Sequence, residues 1–195
     1  MKMTRFEKRF VNRKKISASN IKKLELAFEY INIDTINTVL EIGCGVGFVS
    51  AYLADSYKFD IYGTDCDAEQ IRIAEKIQPK RDNLHYQVQD AKKLSFEDSS
   101  IGLVLSQNVF HHIPDWEGTI HEIKRVLYPN GYFIWFDLAY PEIVKKIFLP
   151  FVKNYGLYTV NDIKTAFKDF DFKTLFQERL SHGPLSQYHY VLQLD

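Results

Sequence analysis

The chain has 195 residues, of which 46% are hydrophobic and 26% are charged, and its formal net charge is zero. This length suits one domain with a single core, and this composition excludes global disorder and a fibrous repeat. Because no apolar run approaches the roughly 18 residues that cross a bilayer, and the charged start does not resemble a secretory signal peptide, we expect a cytoplasmic protein without a membrane span.

The first 15 residues are basic, with seven Lys and Arg side chains against one acid, Glu7. Such a segment can attract nucleic acid, anionic substrates or a membrane surface. No basic repeat interleaved with aromatic residues follows, so a solvated helix face is the favoured interpretation. Phe6, Phe10 and Val11 lie at near-helical spacing. We therefore predict an N-terminal helical arm over residues 1–30 that could fold over a pocket as a lid.

Strands and helices alternate along the next part of the chain. The apolar runs that predict strands are 38–42, 59–63, 84–88, 101–105 and 131–138, and the helical periods that separate them include 48–56, 68–77 and 116–127. This alternation indicates parallel βαβ units with right-handed crossovers. The unbroken apolar run Ile101–Leu105 further indicates a sheet that is buried on both faces.

The end of the chain has a different pattern. Residues 160–170 read as a helix, and residues 173–180 and 187–194 read as two strands around Ser181-His182-Gly183-Pro184. This pattern predicts an antiparallel hairpin at one edge of the sheet. Because no linker or internal repeat divides the chain, we expect residues 1–195 to form a single domain.

Three glycines, Gly43, Gly45 and Gly47, follow the first predicted strand. In open α/β sheets the ligand binds at the carboxyl ends of the strands, where a glycine turn lets backbone N–H groups approach it. A dinucleotide site has the spacing G-x-G-x-x-G, whereas here the third glycine comes one residue early and Glu41 precedes the first by two. A carboxylate there suits a cationic ligand or one with N–H donors better than a pyrophosphate, although an NAD-dependent dehydrogenase remains an alternative.

The segment Val39-Leu40-Glu41-Ile42-Gly43-Cys44-Gly45-Val46-Gly47 resembles motif I of the class I S-adenosylmethionine-dependent methyltransferases. The resemblance continues with Asp65, Gln89-Asp90-Ala91, Ser106-Gln107 and Tyr128-Pro129-Asn130-Gly131, in the family's order. Asn130 replaces a glycine, but Asn tolerates a positive φ. The resemblance implies an α/β, Rossmann-like methyltransferase fold, with a mostly parallel seven-stranded sheet, helices on both faces and a C-terminal antiparallel hairpin.

The resemblance also implies S-adenosylmethionine as the cofactor and S-adenosylhomocysteine as the product. Asp65 matches the acid that hydrogen-bonds both ribose hydroxyls, for which its two acceptor oxygens are suited, and Asp90 matches the acid that accepts from the adenine amino group. The alternative for Asp65 is a turn position beside a helix N-cap at Asp67. The expected cofactor-binding residues are Glu41, Gly43, Cys44, Gly45, Gly47, Asp65, Cys66, Gln70, Asp90, Ala91, Ser106 and Gln107.

His111 and His112, just past the fourth strand, are the candidate catalytic residues. Histidine titrates near neutral pH and could take a proton from an acceptor, but an activated methyl group makes a base optional, and a structural role is the alternative. Adjacent side chains diverge and no carboxylate ends the fourth strand, so we expect no metal. Cys44 and Cys66 lack zinc-ligand spacing and are expected to be free thiols.

These features favour methyl transfer to O, N or C of a small molecule. The family signature for planar amines, Asn or Asp followed by Pro-Pro and an aromatic residue, is replaced by Ser106-Gln107-Asn108-Val109. The alternatives are an RNA or tRNA methyltransferase that uses the basic arm, although we do not expect a nucleic-acid partner, and a non-catalytic S-adenosylmethionine-binding protein. The resemblance assigns acceptor specificity to Phe6–Val11 and Tyr140–Tyr158. In the second segment we expect the phenylalanines in the core, whereas the tyrosines could equally pack in the core or line a pocket for an apolar acceptor. The oligomeric state is not predicted.

Overall fold

The computed structural model describes residues 14–148, 150–152, 154–181 and 185–195. Its strands are β1 (Thr38–Ile42), β2 (Asp60–Asp65), β3 (Leu84–Val88), β4 (Ile101–Gln107), β5 (Leu127–Ala139), β6 (Phe172–Arg179) and β7 (Ser186–Leu194). Its α-helices are α1 (Lys14–Phe28), α2 (Phe48–Ser56), α3 (Ala68–Ile77), α4 (Trp116–Val126), α5 (Glu142–Phe148) and α6 (Val160–Asp169).

The seven strands form one sheet in the order β3-β2-β1-β4-β5-β7-β6. The first five strands pair in parallel, whereas β7 pairs antiparallel with both β5 and β6. The expected fold class is therefore confirmed, including the hairpin at the edge. The order reverses between β1 and β4, and ligands of open α/β sheets bind at the carboxyl ends of strands at such a reversal.

Two apolar clusters cover the two faces of the sheet. One joins α4 and α6 to β4, β5 and β7, and the other joins α1 and α2 to β1, β2, β4 and β5. Leu24 and Ala27 of α1 are fully buried, and Glu25 accepts hydrogen bonds from the hydroxyls of Tyr52 and Tyr57 at 3.0 Å. The described part of the N-terminal arm thus packs on the core, while Phe6, Phe10 and Val11 lie outside the described residues.

Several strands and helices begin and end in the structure at the residues predicted from the sequence. Where they differ, the cause is local. β4 continues through Ser106 and Gln107, which are as buried as the residues before them. β5 begins at Leu127, paired with Ile101, and its register with β4 shifts before Tyr132. Asn130 lies at this shift and has φ of +66°, a left-handed backbone conformation that Asn tolerates.

The expectation that the phenylalanines after β5 pack in the core is wrong. Phe148 and Phe151 are 49% and 82% exposed, and no residue of α5 is buried. The space on that face of β5 is already filled by α4 and α6, so the apolar side chains of α5 have no sheet surface to cover. Tyr158, from the same segment, is fully buried. Among the described residues, no helix has the length and apolar character of a membrane span.

Candidate functional site

A cavity of about 500 Å³ opens at the carboxyl ends of the parallel strands, around the reversal of strand order. Its size lies in the range of small-molecule and cofactor sites. The walls come from the ends of β1, β2 and β4, the segment after β3, and one residue of the loop after α5. The lining residues are Ile42, Gly43, Gly45, Thr64, Asp65, Cys66, Gln89, Asp90, Ala91, Lys92, Gln107, Asn108, Val109, His112, Ile113, Pro114 and Asn154.

The glycine turn between β1 and α2 has the conformation that only glycine adopts without strain. Gly43, Gly45 and Gly47 have φ of +72°, +55° and +75°. A Cβ on Gly43 would lie 2.3 Å from Cγ2 of Val109, and a Cβ on Gly47 would lie 2.2 Å from the hydroxyl of Tyr86. The turn therefore requires glycine both for its dihedral angles and for the side chains packed against it.

Asp65, at the end of β2, is tied to this turn. It is 7% exposed; its Oδ2 accepts from the N–H of Gly45 at 3.1 Å, and its Oδ1 accepts from the N–H of Asp67 at 2.8 Å. Each carboxylate oxygen can accept a second hydrogen bond, so Asp65 can also accept from a ligand in the cavity. Asp67 is the N-cap of α3 and accepts from the N–H of Glu69.

Glu41 lies behind the turn and does not line the cavity. It is 4% exposed and accepts a short hydrogen bond from the hydroxyl of Ser50 in α2. Burial, with a smaller effect of the nearby Asp65 charge, raises the pKa of Glu41 to about 7. Glu41 therefore links β1 to α2 beneath the glycine turn.

Seven of the twelve expected cofactor residues line the cavity and five do not. The seven are Gly43, Gly45, Asp65, Cys66, Asp90, Ala91 and Gln107. The other five, Glu41, Cys44, Gly47, Gln70 and Ser106, support the wall from behind or lie within the turn. Gln107 also donates from Nε2 to the carbonyl of Asn20 at 3.1 Å, which joins α1 to the edge of the cavity.

The two candidate catalytic histidines lie in a 3-10 turn after β4, at residues 110–112. His112 lines the cavity, whereas His111 lies beside it, with 4.0 Å between the two ring centroids. Nδ1 of His111 is 2.5 Å from Oδ1 of Asp137 on β5. Asp137 is fully buried, and nothing in its sequence surroundings predicted this contact.

The cavity wall includes residues that were not expected as individual contacts. Asn108, with φ of +60°, and Val109 come directly after β4, and Ile113 and Pro114 follow the histidines. Because these residues follow the end of a parallel strand, the sequence could have predicted them as cavity contacts. Asn154 lines the cavity from the loop after α5. Only the wider segment Tyr140–Tyr158 was predicted from the sequence.

The described ranges contain no group of three or more His, Cys, Asp or Glu side chains that could hold a metal ion. Cys44 is a buried free thiol and Cys66 an exposed one, as expected. Burial, with the charges of Glu41 and Asp65, raises the pKa of the Cys44 thiol well above its usual value, so this thiol stays protonated.

The sequence profile described as Methyltransferase domain matches residues 40–135. The 2-methyl-6-phytyl-1,4-hydroquinone methyltransferase of Synechocystis sp. is 34% identical over 108 residues, which are 54% of this chain and 34% of that protein. Phosphoethanolamine N-methyltransferase 2 of Caenorhabditis elegans is 33% identical over 96 residues, or 48% of this chain and 22% of that protein. The chain thus matches about a third or less of the length of these relatives.

The fold extends beyond the matched segment. The crystal structure of the PH0226 protein from Pyrococcus horikoshii OT3 has a TM-score of 0.74 to this chain at 25% identity. The superposition covers 95% of this chain and 93% of that protein. The likeness therefore includes the antiparallel strands at the end of the chain as well as the parallel strands that carry the cavity.

Proposed function

We propose that this chain is a class I S-adenosylmethionine-dependent methyltransferase and that it transfers the methyl group of that cofactor to O, N or C of a small molecule, which the match to the Methyltransferase domain profile supports. The observation that carries the proposal is the position of Asp65. Its carboxylate lines a cavity of cofactor size and is held there by the N–H of Gly45, in the turn that the family uses for its cofactor.

The polar groups of the cavity suit S-adenosylmethionine. Asp65 can accept from the two ribose hydroxyls, and Asp90, on the segment after β3, can accept from the adenine amino group. Ile42, Ala91 and Ile113 offer apolar surface to a flat base. Gly43 and Gln107, at the ends of β1 and β4, are assigned to the methionine side of the cofactor.

The acceptor is assigned to the part of the wall built by Asn108, Val109, His112, Pro114 and Asn154. These residues combine apolar contacts with two amides and one imidazole. Such a surface suits a small molecule that has both an apolar part and a polar reacting group. The named relatives, which methylate a phytylhydroquinone and phosphoethanolamine, also support a small-molecule acceptor.

The bound cofactor supplies a methyl group that is already activated on a sulfonium sulfur. The protein then has to align the acceptor, exclude water and, for a hydroxyl or ammonium acceptor, remove a proton. His112 is the group we assign to proton removal, because its side chain reaches the cavity wall and imidazole titrates near neutral pH. Val109, Ile113 and Pro114 give that part of the wall its apolar surface.

The proposal is tested with tritium-labelled S-adenosylmethionine and a fractionated cell extract. We expect wild-type protein to transfer label to the small-molecule fraction, and Asp65→Ala to transfer much less. Label in the RNA fraction alone would favour the RNA methyltransferase instead. Absence of transfer by a protein that binds S-adenosylhomocysteine would favour the non-catalytic binding protein. Either result would overturn the proposal.

A further inference from the structure

Asp137, on β5, is a buried acid that contacts the turn carrying the two histidines. It is fully buried, and its Oδ1 accepts from the N–H of Leu138 at 2.7 Å and lies 2.5 Å from Nδ1 of His111. Its Oδ2 accepts from the backbone N–H of His111 at 3.4 Å. Removing a carboxylate from water is costly unless hydrogen bonds replace those to water, so this acid strongly favours a proton on Nδ1 of His111.

The hydrogen bond to Asp137 determines which nitrogen of His111 carries the proton. In a neutral imidazole one nitrogen donates and the other accepts, and a carboxylate partner selects the tautomer with the proton on Nδ1. His111 is then held with its ring against that of His112, at 4.0 Å between centroids. Asp137, His111 and His112 therefore form a row from the buried strand β5 to the cavity wall, and we name it the Asp137 row.

We infer that Asp137 is a positioning residue for proton removal, acting through His111 on His112, an inference that rests on the proposed function. When an acceptor hydroxyl attacks the methyl carbon, the new O–C bond forms as the S–C bond breaks, and the acceptor proton passes to neutral His112. The electron pair of the broken bond stays on sulfur. The proton later leaves to solvent, and the negative charge of Asp137 stabilises the imidazolium while it exists.

The surroundings of the Asp137 row make its carboxylate the dominant charge. Tyr155 is near His112, with 5.9 Å between ring centroids, and Tyr140 and Tyr158 face Asp137. Burial, with a smaller effect of Asp137, raises the pKa of Tyr158 well above its usual value, so its hydroxyl stays neutral. Lys92 places a cation on the wall of the same cavity. A structural role alone would hold the histidine turn in place without any effect on proton removal at His112.

The test uses the full chain with ¹⁵N-labelled histidine and follows the imidazole nitrogens by NMR as pH is changed. In wild type we expect His111 to carry its proton on Nδ1 when neutral. In Asp137→Asn, which keeps the side-chain shape, we expect population of the Nε2–H tautomer and a fall in the His112 titration midpoint of about half a pH unit or more. A wild-type His111 with its proton on Nε2 would overturn the inference without any variant.

Asp115→Asn is the matched control, because it removes an acid from the same segment and leaves the Asp137 row intact. Asp115 caps α4 through the N–H of Gly118, and Asn also caps helices well. We expect wild-type tautomers in this control, and the same tautomers in Asp137→Asn would contradict the inference. Titration with S-adenosylhomocysteine separates the two proposals. Absence of binding to the wild-type protein refutes the proposed function. Binding to the wild-type protein, together with histidine tautomers that do not change in Asp137→Asn, refutes only the role of Asp137.

Discussion

The carboxylate of Asp65 accepts a hydrogen bond from the backbone N–H of Gly45 at 3.1 Å, so the acid that ends β2 and the turn that follows β1 form one unit. The N–H groups of Gly43 and Cys44 strengthen this link, since both donate to the carbonyl of Thr64, at 2.7 Å and 2.9 Å. These hydrogen bonds hold three residues of the turn against the last two residues of β2, beside the cavity. A ligand that binds Asp65 therefore meets a carboxylate whose position is set before binding.

Asp65→Ala should weaken the binding of S-adenosylhomocysteine by about 1–3 kcal/mol, because ribose hydroxyls would lose their acceptor and the N–H of Gly45 its partner. Isothermal titration calorimetry measures this difference. Asp60→Ala is the control, since Asp60 begins the same strand and is not part of the cavity wall. An unchanged affinity in Asp65→Ala would contradict the ribose assignment.

Gly43→Ala should destabilise the fold, because φ of +72° is strained for alanine and the new Cβ would overlap Val109. We expect the free energy of unfolding in urea to fall by about 2 kcal/mol or more. The double variant Gly43→Ala/Val109→Ala removes the overlap but keeps the strained φ, so it should be less destabilised than the sum of the two single changes. A simple sum would show that the overlap with Val109 is not the cause.

Glu41 should make the cofactor-free protein less stable as pH rises. The pKa of Glu41 in the folded protein is about 7, against about 4.5 in the unfolded chain, so the folded state holds a proton that the unfolded state has released between these values. The free energy of unfolding therefore falls as pH rises from about 4.5 to about 7. Relative to wild type, Glu41→Gln should raise the free energy of unfolding by on the order of 2–3 kcal/mol at pH 8 and by little at pH 4.

Urea unfolding at several pH values measures the effect of Glu41. Gln keeps an oxygen that can accept from Ser50, so the hydrogen bond is not lost with the charge. Glu75→Gln, an exposed acid on α3, is the control and should follow wild type at every pH. If the free energy of unfolding changed with pH in the same way in wild type and Glu41→Gln, burial would not raise the pKa of this carboxyl.

His189, on β7, should have the opposite effect and lower stability in acid. It is fully buried, its ring lies 5.7 Å from that of Phe176, and neither ring nitrogen has a hydrogen-bond partner among the described residues. Burial, with a smaller effect of Lys23, lowers the pKa of His189 to about 4. The unfolded chain binds a proton first as pH falls below about 6.5, so stability is lost between about pH 6.5 and pH 4.

His189→Leu should remove this loss, because a buried polar ring without partners is replaced by an apolar side chain of similar size. The free energy of unfolding of the variant minus that of wild type should be larger at pH 4 than at pH 7, by on the order of 2–3 kcal/mol. His121→Leu, at an exposed position on α4, is the control and should show no such pH dependence. The same pH dependence in His189→Leu and wild type would contradict the account.

The sequence predicted the features that depend on neighbouring residues. The strand, the glycine turn and the acid at the end of β2 follow from local patterns, and Asn130 was expected to tolerate the positive φ that it has. Parallel strands bring their carboxyl ends together, so the approximate place of the cavity followed as well. These features are local or result from topology alone.

Other features depend on packing between distant parts of the chain. The contact between His111 and Asp137 joins residues 26 positions apart, and no local pattern distinguishes Asp137 from any other acid in a strand. Phe151 is apolar in sequence but exposed, because α4 and α6 already cover the nearby sheet face. Glu41 was expected to contact the cofactor, yet its side chain points to Ser50 behind the turn.

Calorimetric titration of the full chain with S-adenosylhomocysteine, and separately with NAD, tests the central claim most directly. The account predicts saturable binding of S-adenosylhomocysteine with one site per chain, a weaker affinity in Asp65→Ala, and no binding of NAD. Binding of NAD without binding of S-adenosylhomocysteine would contradict the assignment of the cavity between the glycine turn and Asp65.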